Sequence, residues 1–353
     1  MKKSILIFTC VFAFTFNAKA QDGLENILFA DISDANLLTE AYLKPAAEGF
    51  IYGMSSGWFH TAKVHKTLGF DITIGANLSL IPSDKEIFNV NSLNLSDKIT
   101  KKPITSPTVL GSNDSALQNG FEVTIPANSD PTINNGIHPE LVRNFTMPDG
   151  FGDDLPLNAA PTPSVQISLG LPYQFEATVR VVPEVGSDDA KGKLFGLGIK
   201  KEITDWFGPL DKLPLHVSIM GAFTNMTVTS VIDDPSENGV TITDGLGELK
   251  LDSYTVQALA SLNFPFINVY GGIGYVSGSS SLNINGTYEL EYSGGLGQTY
   301  RKTLIDPLNL NYKVSGLTST IGARLSLGFF KIFGSYTLQE YNTVNAGIAF
   351  SFR

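Results

Sequence analysis

The chain has 353 residues, with 34 Asp+Glu against 24 Lys+Arg, giving a formal net charge of −10. Only 16% of it is charged, 42% is hydrophobic, and it carries 34 Gly, 23 Phe and 12 Tyr. That composition excludes wholesale disorder and a nucleic-acid binder, and it points to many short strands rather than to helices.

Met1-Lys2-Lys3, the apolar run 5–16 and Ala18-Lys19-Ala20 read as a basic start, a core too short to span a bilayer, and a small-residue cleavage site. Residues 1–20 are therefore expected to be an export signal. The single cysteine, Cys10, lies inside the apolar run, so the mature chain has neither disulfide nor thiol chemistry. A helix is expected over 31–47, where Ile32, Ala35, Leu38, Tyr42 and Leu43 recur at near-helical spacing, Asp31 or Ser33 can cap, and Pro45 sits near the end. Residues 21–48 then form a plug or periplasmic segment.

From residue 49 onward the chain alternates with period two. Phe70, Ile72, Ile74, Ala76 and Leu78 point one way, and Asp71, Thr73, Gly75, Asn77 and Ser79 the other. The same holds for Val165, Ile167 and Leu169 against Ser164, Gln166 and Ser168, and for Ile321, Ala323 and Leu325 against Thr320 and Arg324. The non-apolar face holds Ser, Thr, Asn, Gln and Gly with few charges, which suits a polar lumen better than the wet face of a soluble sandwich. Residues 253–288 carry no charge, but Pro265 and several glycines break any helix there, leaving two strands around a turn. The expected fold is all-β, a closed antiparallel transmembrane β-barrel of 12–14 strands over residues 49–353. Twelve strands are read near 49–64, 67–81, 86–91, 163–171, 174–183, 193–202, 214–230, 250–263, 266–280, 312–328, 330–339 and 343–352. Inner turns fall at 82–84, 172–173, 264–265 and 328–329, and 92–162 forms the longest outer loop. Gly120–Ile125 could add a further strand pair. In the last strand Val344, Ala346, Ile348, Phe350 and Phe352 alternate to within one residue of the end. That strand is the expected point of contact with barrel-insertion machinery.

Together these features resemble outer-membrane β-barrels of Bacteroidetes type. They also resemble, distantly, the long-chain fatty-acid transporter family, whose lumen plug carries an Asn-Pro-Ala motif. Here Lys44-Pro45-Ala46 stands in the comparable place, without the Asn. The resemblance implies the cell outer membrane, contact with its lipid, and porin-like passive transport of a small solute, a hydrophobic one among the candidates. A structural or partner-binding barrel is the alternative, and a lipid-modifying enzyme a third. Lumen-lining candidates are Lys63, Asp71, Glu176, Arg180, His216, Arg324 and Lys331, read as cross-strand ladders before substrate contacts. His60, His65, His138 and His216 lack metal-pair spacing, and His216 with Ser218 lacks a nucleophile elbow. No catalytic residue, metal or cofactor is expected. Aromatics including Tyr52, Trp58, Trp206, Phe207, Phe330, Tyr336, Tyr341, Phe350 and Phe352 are assigned to interfacial girdles.

Overall fold

The computed structural model describes residues 24–112, 120–187, 190–232, 239–294 and 297–352. The expected export signal, 1–20, lies outside the described residues. A helix, α1 (Ile32–Ser55), comes first, preceded by a 3-10 turn over Leu24–Phe29. Sixteen strands follow in the described residues: β1 (Phe70–Leu80), β2 (Ile87–Asn89), β3 (Ile99–Lys101), β4 (Thr105–Pro107), β5 (Phe121–Ile125), β6 (Leu141–Phe145), β7 (Ala159–Leu171) and β8 (Phe175–Gly186). Then come β9 (Ala190–Glu202), β10 (Leu215–Ile232), β11 (Val240–Asn263), β12 (Ile267–Ser293), β13 (Thr299–Ile305), β14 (Leu308–Leu327), β15 (Phe330–Leu338) and β16 (Thr343–Phe352).

Among the described residues ten strands close the ring, in the order β1, β7, β8, β9, β10, β11, β12, β14, β15, β16, with β16 returning to β1. Every pairing is antiparallel, and the seam runs from Phe70↔Phe352 to Ser79↔Thr343. β13 continues the line of β14 against the far end of β12, displaced at Asp306, whose backbone N–H donates to the Gly286 carbonyl. The short connections 172–174, 203–214, 264–266 and 328–329 cluster at one end, here the turn end. The described residues 81–112, 120–158, 187, 239, 294, 297–298 and 339–342 lie at the other, the loop end.

The wall is amphipathic in the inverted sense. Along β1 the apolar Phe70 and Ile72 are exposed, while Asp71, Thr73, Asn77 and Ser79 are buried in the lumen. Val256 (61%), Ile273 (67%) and Leu317 (80%) lie bare on the outside, with Ser253, Thr255 and Gln257 buried behind. An exterior belt of that size has no stable home in water. On β11 the belt runs outward from Tyr254 to Leu262, about 20–25 Å at strand rise and barrel tilt, the height of an acyl band. Phe70 and Phe352 stack at 5.1 Å at the turn end, with Trp206, Phe207, Phe264, Phe266 and Phe329 exposed in its turns and strand ends, an interfacial girdle. The chain is a transmembrane β-barrel.

Four expectations are corrected. Residues 49–64 form no strand: they complete α1 and a lumen segment, because packing on every side replaces the alternation of a wall strand. The helix accordingly runs through Pro45 to Ser55 rather than ending near 47. Of the segment 86–91 only β2 is strand, paired with β4 off the ring, and β5 pairs with β3 and β6, so twelve to fourteen becomes ten and parity is kept. With 49–64 off the wall, β1 runs from turn end to loop end, which puts 82–84 at the loop end instead of among the inner turns.

Above the belt, the loop-end segments build a folded cap. Phe121, Val123, Leu141 and Phe145 pack with Val109 and Leu110, with the outer stretches of β11 and β12 (Val240, Tyr288, Leu290, Tyr292), and with Ile27, Phe29, Leu38 and Tyr42 of the N-terminal segment. The Asp130 carboxylate accepts from Lys302 Nζ at 2.8 Å. Burial opposes its ionisation, yet Lys302 and Thr132 outweigh this and hold its pKa at about 2. A carboxyl lowered on folding stabilises above its unfolded pKa of about 3.9 and loses that contribution as pH falls towards its folded value.

Two outcomes follow. Ile273→Arg, opposite Ala258 at mid-belt, is expected to destabilise the barrel by about 2–4 kcal/mol in urea unfolding from lipid vesicles. Hydrogen exchange around Asp130 should accelerate between about pH 4 and pH 2 in the native chain and show no such step in Asp130→Asn.

Candidate functional site: the plugged lumen

Ten strands enclose more space than the eight whose interior side chains just fill a barrel. The N-terminal segment occupies it. Asp31 caps α1 by accepting from the Ile32 N–H at 2.8 Å, and Asp34 accepts from Ser96 Oγ at 2.6 Å, so the helix starts inside the cap. The plug therefore enters from the loop end. Lower down, Ile51, Tyr52 and Met54 pack on Leu251, Val276, Leu310 and Val314, and Trp58, Phe59 and Ala62 pack on Met220, Leu259 and Tyr270. The chain reaches the turn end at 64–69, where Leu68 N–H donates to the Gly170 carbonyl, and reverses into β1.

Wall glycines make room for these side chains. A Cβ on Gly196 or Gly198 would come 3.0 Å from the Trp58 ring, on Gly278 2.5 Å from Ile51, and on Gly316 2.8 Å from the Tyr52 hydroxyl. Gly57, at φ +69°, takes the left-handed conformation that ends the helix, and a Cβ there would meet Asn77 at 2.5 Å.

Arg180 fastens this end. It is wholly buried, donates from Nη1 to the Met54 carbonyl at 2.7 Å and from Nη2 to the Ser56 carbonyl at 2.9 Å, and lies 3.9 Å from the Trp58 ring centre. A cation from the wall thus meets the negative end of the helix dipole and carbonyls that also accept from Trp58 Nε1 and Asn77 Nδ2. Near the turn end the charges join. His65 bridges Glu176 (2.7 Å) and Asp71 (3.4 Å), Asp71 reaches His60 (3.2 Å), and Arg324 Nη1 lies 2.8 Å from His60 Nδ1. Lys200 pairs with Glu176 at 2.7 Å and donates to the Thr61 carbonyl, and Glu202 accepts from the Val64 N–H and pairs with His216 at 2.5 Å. At the opposite mouth Lys85 pairs with Glu340 (2.8 Å) and Glu48 (3.4 Å), and Glu48 accepts from the Tyr341 hydroxyl. Burial disfavours the Lys85 charge, but the two carboxylates outweigh it and raise its pKa.

Asp71, Glu176, Arg180, His216, Arg324 and Lys331 therefore do face the lumen, and their partners lie mainly on the plug. Lys331 donates to Ser351 at 2.5 Å. Lys63 departs from expectation: it is exposed on the segment leaving the helix, where its carbonyl accepts from Lys200 and its N–H donates to Thr61 Oγ1. Lys44 is half-buried and Pro45 and Ala46 are buried inside α1, not at its end. Tyr52 and Trp58 are buried as part of the plug, and Tyr341 is buried against it, rather than in a girdle. Ser218 donates to the Ala62 carbonyl, while His216 on the same strand pairs with Glu202. Sequence reasoning missed His60, His65, Lys200 and Glu202 as partners. The parity of β9, with Phe195, Leu197 and Ile199 exposed, was the signal that Lys200 and Glu202 point inward.

A void of about 10 Å³ lies among Trp58, His60, His65, Asp71, Gln166 and Glu176, room for about one water, and Asp71 Oδ1 has no hydrogen-bond partner there. Among the described residues no group of three His, Asp or Glu side chains is placed to hold a metal ion. A groove of about 290 Å³ lies on the wall at Lys250, Asp252, Ser279 and Lys313.

A family model, described as a family of unknown function (DUF6588), matches residues 1–352, and the chain belongs to that family. No curated protein matches. Among solved structures, the attachment invasion locus protein Ail of Yersinia pestis is 17% identical, covering 54% of this chain and 97% of its own at a TM-score of 0.25. The translocator domain of autotransporter NalP from Neisseria meningitidis is 11% identical, with 82% and 90% covered and a TM-score of 0.29. The CymD monoaromatic hydrocarbon channel is 10% identical, with 89% and 92% covered and a TM-score of 0.20. The barrel assignment rests on this chain's own strand pairing.

Arg180→Met is expected to cost about 2–3 kcal/mol, the loss of charged hydrogen bonds to buried carbonyls. Chemical unfolding of the refolded barrel measures it, and Arg180→Lys should recover only part, since one ammonium cannot reproduce the fork over Trp58.

Proposed function

We propose that this DUF6588 protein is an outer-membrane barrel sealed by its own N-terminal helix, whose role is to hold a folded, loop-built cap on the outward face for a partner. The observation that carries the reading is the helix and following segment lodged in the lumen. α1 and segment 56–69 run from cap to turn end, seated in wall glycines and held by Arg180 and the His–Asp–Glu–Lys network, with room for about one water beside them.

The location is supported by a closed ring with an apolar exterior and by the export signal expected at residues 1–20. It is also supported by β16, whose outward Ala346, Ile348, Phe350 and Phe352 suit recognition by insertion machinery. By the usual asymmetry of such barrels, the short turns face the periplasm and the long loops the outside. The reading includes no catalytic step and no cofactor.

A second reading, a passive channel for a small hydrophobic solute, requires the plug to move. The turn-end contacts that favour it are mainly polar and lie around the unpaired Asp71 oxygen, so water could replace them. Planar-bilayer recording separates the two. The sealed barrel is expected to give no steady conductance in the wild-type chain, and Arg180→Met is expected to give brief openings at most. Sustained wild-type conductance, or uptake of a hydrophobic solute into vesicles that depends on the barrel, would overturn the sealed reading.

A further inference from the structure

The register of the wall fixes what lies just above the apolar belt. Leu197, Phe223, Tyr254, Ser277 and Ser315 form one outward row across β9, β10, β11, β12 and β14. Phe223 and Tyr254 are 4.9 Å apart and close the belt on that side. The next row towards the loop end is Phe195, Asn225, Asp252, Ser279 and Lys313, and the one after it Lys193, Thr227, Lys250, Ser281 and Asn311. Within two residues of the last aromatic row the wall thus turns from apolar to hydroxyl, amide and ammonium.

Between Lys250 and Lys313 the wall is hollow. The groove of about 290 Å³ is floored by the outward Ser279 and Ser281 and flanked by the two lysines, Asn311 and Asp252, with the inward-facing Ser280 contributing only from behind. Lys193, Lys250 and Lys313 are all exposed. Lys250 is held by Glu248 at 2.7 Å, and Asp252 accepts from Asn225 at 2.9 Å, so the acid nearest the groove is already engaged by a donor. Just below, Tyr254, Val256, Tyr275 and Leu317 offer a bare apolar track leading away from the groove.

We infer that this groove seats the phosphate of a lipid headgroup in the leaflet on the loop side, with Lys250 and Lys313 as its cationic walls, the serine floor and Asn311 as hydrogen-bond donors, and an acyl chain on the track below. The height decides the class of ligand. A soluble anion has no use for an apolar track, whereas a phospholipid or phosphorylated glycolipid presents a phosphate at the level where acyl chains end. Lysines at an anionic membrane surface each add appreciably to binding, and a small-residue floor lets the phosphate approach the wall closely.

The inference rests on the chain lying in a bilayer with its cap outward. Insertion is therefore checked first, by heat-modified gel migration and protease protection of the refolded full chain. The barrel is then titrated with a bisphosphorylated disaccharide lipid and with the same lipid dephosphorylated, bound lipid being counted by native mass spectrometry. Lys250→Gln/Lys313→Gln and the cap variant Lys101→Gln are run alongside.

Expected are binding at least about tenfold weaker for the dephosphorylated lipid and for the double variant, with Lys101→Gln unchanged. Equal binding by the double variant overturns the site, as does complete displacement of the lipid by millimolar inorganic phosphate, which would mark a free-anion site. A chain that does not insert overturns the membrane reading together with the groove. A chain that inserts but shows no phosphate preference overturns the groove alone.

Discussion

A closed ring of strands in a bilayer leaves no backbone group unpaired on its rim but creates an interior that must be filled or flooded. Everything else in this molecule answers that condition. With ten strands the wall side chains do not meet across the axis, so the lumen accepts one helix. The helix in turn brings carbonyls and a negative dipole end into a place without bulk water. Arg180, wholly buried between that end and Trp58, resolves the conflict from the wall. Glycines at 196, 198, 278 and 316 are the counterpart for apolar side chains, since each would collide with a plug residue if it carried a Cβ.

The plug is consequently a second core with two kinds of contact. Towards the cap it is apolar, continuous with the cluster of Phe29, Leu38, Phe121 and Tyr292. Towards the turns it is a network of hydrogen-bonded polar and charged groups among His60, His65, Asp71, Glu176, Lys200 and Arg324. Breaking one member of such a network strands the others, whereas removing an apolar contact leaves a gap. The turn end is therefore where substitution most changes how firmly the helix is held.

The wall was readable because period two survives wherever one face meets acyl chains and the other a polar lumen, as in Ile72/Thr73 and Ile167/Ser168. The same rule located Asp71, Glu176, Arg180 and Arg324 on the inner face. It failed where no lipid imposes alternation. Residues 49–55 are buried on nearly every side of a helix, so their apolar run could be read as a strand. Pro45, an ordinary terminator, sits within a helix supported by lumen packing. The partners of the inner charges stayed hidden because His60 and His65 belong to irregular backbone, where no period marks a direction. Ser279 and Ser281 between Lys250 and Lys313 carry no motif at all; only register brings them into one band.

The first and last strands, β1 and β16, are the neighbours that close the ring. The helix lies ahead of β1 and begins among cap residues at the far mouth. Once β1 and β16 have zipped together, 24 residues of helix cannot pass through a wall of hydrogen-bonded strands, and the sockets fit it too closely for threading from below. Assembly must therefore enclose the helix before the two chain ends join, which makes the plug a mandrel around which the cylinder is wound.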